Sequence, residues 1–203
     1  MVMKKVLSVV LILTLVLGLA SCAMPKSANA LIREAEAKHG KCTVVSIEKA
    51  DGGYTVVLHD ELQDFDYTVR SFKDQFEADG AKFGSYADKR DSFEEALADK
   101  VISEVEDELD RICEETGTRY LKDRSKSIYL LPSVFANDEE SGRKAIEAFA
   151  GVIQKHNLEG RMDNWTMIVF KDSDRLRSGE TKLPYGKKMG SVTLPDMTYK
   201  PGK

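Results

Sequence analysis

Three groups of side chains in this 203-residue chain have the types and spacing to do chemistry: the thiols Cys22, Cys42 and Cys113; the carboxylates crowded into residues 91–116; and a cluster of His59, Asp60, Glu61, Asp64 and Asp66. A thiol reacts as its thiolate, so a reactive cysteine needs a base or a cation beside it; for Cys42 and Cys113 packing as small hydrophobes is the favoured reading. Residues 91–116 carry eleven acidic side chains against Lys100 and Arg111, a net −9. Carboxylates at that density attract cationic partners when they share a face, and otherwise make a solvated helix surface. Within this stretch Glu106, Asp107 and Asp110 are the candidates for a cationic-ligand face. The His59–Asp66 cluster offers nitrogen and oxygen donors for a divalent cation. Strand alternation sends neighbouring side chains to opposite faces, however, and no glycine turn gathers them, so a charged hairpin loop is expected and no metal site is assigned.

The familiar catalytic patterns are missing. Ser85 and Ser191 each follow a glycine but lack the second glycine of a hydrolase elbow. There is no HExxH pair, and Lys187 and Lys188 after Gly186 do not make a phosphate-cradling loop. The segment from Asp172 to Glu180 spaces two aspartates but puts Arg175 and Arg177 where a calcium loop wants acceptors. Asn164-Trp165-Thr166 matches a glycosylation acceptor but opens an apolar strand, so no glycan is expected. No catalytic residue or cofactor is assigned, and the chain reads as a binding or accessory protein rather than an enzyme. The catalytic alternative is a hydrolase working through two carboxylates at a defined separation, for which the many Asp and Glu do not single out a pair.

Lys4 and Lys5 precede an uncharged run from Val6 to Pro25, nearly all aliphatic as far as Ala20, that contains Leu19-Ala20-Ser21-Cys22. The aliphatic part is nearer a signal core than the roughly 18 residues that span a bilayer. The pattern resembles the signal peptide and lipobox of a bacterial lipoprotein. In that family the cysteine thiol is alkylated by lipid, the leader is cut ahead of it, and the mature chain starts at the lipidated residue. The resemblance covers residues 1–22. It implies a signal peptide at 1–21, a fatty-acylated anchor with a short spacer at 22–26, and a body held on the extracytoplasmic face of the cell membrane through lipid on Cys22. A diacylglyceryl group gives lasting attachment where one chain would not. That location permits a disulfide between Cys42 and Cys113, and two buried free thiols account for them equally well. The partners expected are the membrane and a peptide or envelope protein, with a secreted cationic peptide as one candidate ligand.

Without the leader the chain has 28 basic and 34 acidic side chains, a net −6. This lacks the basic footprint of nucleic-acid binding. The remainder, 27–203, is expected to be one α+β domain with a polar C-terminal tail: a mainly antiparallel sheet of about five strands against two or three helices. Apolar spacing predicts helices over Ser27–His39, from Ser92 to about Gly117, and over Glu139–His156. Ser92 and Glu95 have capping-box spacing. Strands are expected at Lys41–Lys49, Tyr54–His59, Phe65–Phe72, Ile128–Leu131, Trp165–Phe170 and Ser191–Leu194. Residues 74–90 read as an irregular link, and most of the chain from Lys171, net +4, as loop.

Overall fold

The structure, a computed structural model, describes residues 24–50, 52–78, 81–123, 127–172 and 186–202, with backbone alone for 50 and for 75–86 within that set. The leader with Cys22 and the stretch 173–185, including Arg175 and Arg177, lie outside the described residues. The fold is α+β, with three helices and two mostly antiparallel sheets of four and five strands among the described residues. The chain packs as two compact units that divide between Phe93 and Glu94.

The first unit is helix α1 (Ala28–His39) followed by a meander of β1 (Cys42–Ala50), β2 (Gly53–Asp60), β3 (Phe65–Ala78) and β4 (Ala81–Asp91), all antiparallel in the order β1-β2-β3-β4. The Ser27 hydroxyl accepts from the Ala30 N–H to open α1, and the Gly40 N–H donates to the Glu36 carbonyl to close it; both satisfy groups a helix end leaves orphaned. Leu31 and Ala35 on α1 are buried, as are Val56, Leu58, Tyr67 and Val69 on the paired strands β2 and β3. Burying those side chains stabilises the unit at about 1.5–3 kcal/mol for each large apolar residue.

One expectation fails in this unit. The described part of 74–90 is not irregular: β3 continues to Ala78 and β4, from Ala81, pairs with it, with a register shift between Gln75 and Phe76. Gly80, Gly84 and scattered charge obscure the alternation, but pairing with β3 satisfies the backbone whatever the side chains prefer.

The second unit carries α2 (Phe93–Thr116), which opens at the boundary, then β5 (Arg119–Tyr120), β6 (Ser133–Ala136), α3 (Glu139–Gln154), β7 (Thr166–Lys171), β8 (Lys188–Thr193) and β9 (Lys200–Pro201). Its sheet runs β5-β6-β7-β8-β9; β6 and β7 are parallel and α3 connects them. Asp138 caps α3 by accepting from the Ser141 N–H. Ala145, Ile146, Phe149, Val152 and Ile153 form the buried stripe the spacing predicts. Gly142 sits where helix meets sheet: a Cβ there would stand 2.5 Å from Val169 Cγ1 and 3.1 Å from Ala136 Cβ, inside contact distance.

Three more expectations are corrected here. The apolar run Ile128–Leu131 is a series of bends, and the strand begins at Ser133, after Pro132; proline cannot donate to a ladder, so pairing starts once N–H groups resume. The strand expected at Ser191–Leu194 is longer than that, because β8 extends back to Lys188, and β9 pairs with it in a segment read as loop. Gly190 opens a slot for Tyr199, whose hydroxyl donates to the Met189 carbonyl at 3.0 Å. The capping box at Ser92 is replaced: its hydroxyl bonds to both backbone groups of Thr68, and Asp91 accepts from the Phe93 N–H at the start of α2 instead.

Candidate functional site

Along α2, Asp99 is three and four residues before Ile102 and Ser103, and these are four and three before Glu106, the spacings that bring side chains to one side of a helix. They line a cleft of about 220 Å³ whose other wall is Tyr120 from β5 and Lys122 just beyond it. One turn further along the same face stands Asp110. The Lys122 ammonium lies 2.6 Å from Asp110 Oδ2 and 3.6 Å from Glu106 Oε1, and 5.6 Å from the centre of the Tyr120 ring. Its hydrogen bond to Asp110 raises its proton affinity. Tyr120 is 7% exposed, and its buried hydroxyl has no hydrogen bond of ordinary geometry. Burial above all, and then the Asp110 and Glu106 charges, hold that phenol well above its usual pKa, so it stays protonated and can donate.

This arrangement can hold a cation: carboxylates at the rim, an aromatic face beneath, and a hydroxyl in the floor. Of the three residues expected to form a cationic-ligand face, Glu106 lines the cleft and Asp110 anchors the cation already there. Asp107 lies apart, with Glu108 and Arg111 at a separate shallow recess, because adjacent helix positions point about 100° apart. Other acids of α2 are engaged internally. Glu104 meets Lys100 and His156, and Glu108 meets Arg111 and Lys155. Asp99 and Ser103 share the readable helix spacing with Glu106. Tyr120 and Lys122 were not legible, because they come from a segment that reads as a polar link.

Cys42 and Cys113 are both buried free thiols. Burial pushes each thiol pKa up, so neither has thiolate character. The His59 cluster partners piecemeal. The His59 ring lies 2.9 Å from Asp66 and 3.6 Å from Asp64, Asp60 accepts from the Gln63 N–H at 2.8 Å, and Glu61 meets Lys41 at 2.6 Å. Among the described residues no group of three or more His, Cys, Asp or Glu could hold a metal ion, and no helix is long and apolar enough to cross a membrane.

His39 at the end of α1 and His156 just past α3 each meet a carboxylate, Asp91 at 2.8 Å and Glu104 at 3.2 Å. A carboxyl poised as a general acid would be displaced upward. Among the described residues the perturbed carboxyls Glu34, Asp91, Asp138 and Glu140 are displaced downward, and they serve ion pairs or helix caps. No protein-family model matches this chain, and no curated protein or solved structure matches it.

Proposed function

We propose that this chain is a lipid-anchored protein of the extracytoplasmic membrane face that binds a cationic group of a peptide or envelope protein, without catalysis. The observation that carries the binding half is Lys122: the chain's own ammonium rests between Asp110 and Glu106 above the Tyr120 ring, the position a ligand's lysine or arginine would take. Lys122 is a half-exposed side chain, so its bonds are worth little and a ligand can displace it.

The binding test is calorimetric titration with a hexa-arginine peptide at low and high salt. Binding is expected to weaken as salt rises. Glu106→Lys with Asp110→Lys should abolish it, and Lys122→Ala should tighten it about threefold, the worth of one exposed ion pair. Equal binding by the charge-reversed variant would overturn the site. The anchoring half rests on Leu19-Ala20-Ser21-Cys22. The intact mass of protein taken from membranes is expected to match a chain starting at Cys22 plus a diacylglyceryl group, and Cys22→Ala should lose the lipid mass and keep the leader. A wild-type mass without the lipid increment would refute the anchor.

A further inference from the structure

We infer that the outer edge of β1 pairs with β1 of a second copy of this chain, joining two four-stranded sheets into one of eight. This rests on the first unit alone and is independent of the cleft in the second. β1 is the first strand of its sheet in the order β1-β2-β3-β4, so β2 takes one of its edges and no strand among the described residues takes the other. A nine-residue edge strand is a template for further pairing unless something blunts it.

The middle of β1 is apolar where a protected edge would be charged. Val44, Val45 and Ile47 are 46%, 55% and 49% exposed. Val44 stands opposite Leu58 and Ile47 opposite Val56, both of which are fully buried. The pairing register shifts between Val44 and Ser46, leaving Val45 as the extra residue of a bulge. Bulges can turn an edge away. Here the bulge instead sets Val44 and Ile47, three apart, on the same face as the buried Leu58 and Val56, continuing that apolar face to the rim of the sheet.

Self-pairing accounts for this pattern in one register. An antiparallel two-fold centred between Val45 and Ser46 sets Val44 opposite Ile47 of the second copy and Ile47 opposite its Val44, which buries two apolar pairs on that face. The same register places Thr43 opposite Glu48 and brings Lys41 diagonally beside Glu48 on the other face, twice by symmetry, within the reach of long side chains. A slip of one residue would set Lys41 against Lys49 and send Val44 across from Ser46, on the wrong face. The charges of the strand therefore select the register that its apolar residues need.

The test is the mass of the full-length Cys22→Ser protein by light scattering across a dilution series. Twice the chain mass is expected at high concentration, and Ile47→Lys, at a half-exposed position that need not disturb folding, should return it to the monomer mass. Thr43→Cys with Glu48→Cys in one chain should form a covalent dimer on oxidation through two symmetric bonds, whereas Thr43→Cys alone should not. The residues lie too far apart along one strand to bond within a chain. Monomer mass at every concentration, or failure of the double-cysteine variant to cross-link while its circular dichroism stays native, would overturn the inference; so would an Ile47→Lys protein that keeps the wild-type dimer.

Discussion

Replacing Arg119 by methionine is expected to destabilise the second unit by about 2 kcal/mol, because it takes a two-bonded, charge-assisted partner from a buried carboxylate. Arg119 grips Asp172 through two parallel bonds, Nε to Oδ2 at 3.1 Å and Nη2 to Oδ1 at 2.7 Å. The Asp172 side chain is only 4% exposed. Its backbone is fixed as well, since the Asp172 N–H donates to the Ala136 carbonyl at 2.8 Å and so ties the end of β7 to the end of β6. The guanidinium also lies over the Phe135 ring at 4.2 Å. Methionine keeps an unbranched stem against that ring, so the loss reports the charge rather than a cavity. Urea unfolding followed by the fluorescence of Trp165, the chain's single tryptophan, reads this unit directly. Arg119→Lys should lose the fork but keep the charge and fall between the two. Adding Asp172→Asn to Arg119→Met should restore much of the loss. If Arg119→Met unfolds at the wild-type midpoint, the pair is ornamental.

Which parts of this molecule were readable follows from how local their signals are. The stripe of α3, from Ala145 through Phe149 to Ile153, is a pattern of one segment, and it folds where the spacing puts it. The alternation of Phe65, Tyr67 and Val69 against Asp66, Thr68 and Arg70 likewise predicts a buried and an open face of β3. The β3–β4 hairpin past Phe72 was invisible because its evidence lies in the pairing of Lys73 with Ala87 and Asp74 with Tyr86, a relation between segments. β9 needed Tyr199 to find Gly190. The cleft shows both cases at once. Glu106 and Asp110 share a helix face that spacing reveals, whereas Tyr120 and Lys122 reach it only because β5 begins two residues after Gly117. Ser92 shows how a correct local motif can lose to tertiary structure: its hydroxyl had a capping box within reach, and the backbone of Thr68, next to the last β3–β4 pair, won it.

That replacement makes Asp91, along with Glu34, a source of the first unit's acid sensitivity. Its Oδ2 lies 2.8 Å from His39 Nε2 and its Oδ1 accepts from the Phe93 N–H at 3.1 Å. The imidazole, 5% exposed, stacks on Phe93 with ring centres 3.8 Å apart and meets Tyr67 edge-on. Burial pushes the Asp91 carboxyl upward, but the bonds from His39 and Phe93 and the charge of Lys38 outweigh it and bring the pKa down to about 2. A carboxyl whose folded pKa lies below its unfolded value of 3.8 stabilises the fold above that value, and the contribution is lost as pH falls toward 2. The shift corresponds to about 2 kcal/mol, present in full at neutral pH. Asp91→Asn keeps the shape and an acceptor for Phe93 but removes the charge. It should therefore cost about 2 kcal/mol at pH 7 and almost nothing once pH has fallen to the folded pKa. Hydrogen exchange of the Leu58 and Val69 amides in the paired core strands reports opening of this unit, and protection in the variant should fall at pH 7 and converge on wild type in acid. A difference that stays constant with pH would mean that Asp91 holds His39 and Phe93 by shape alone, and that the charge contributes nothing to the seam it closes.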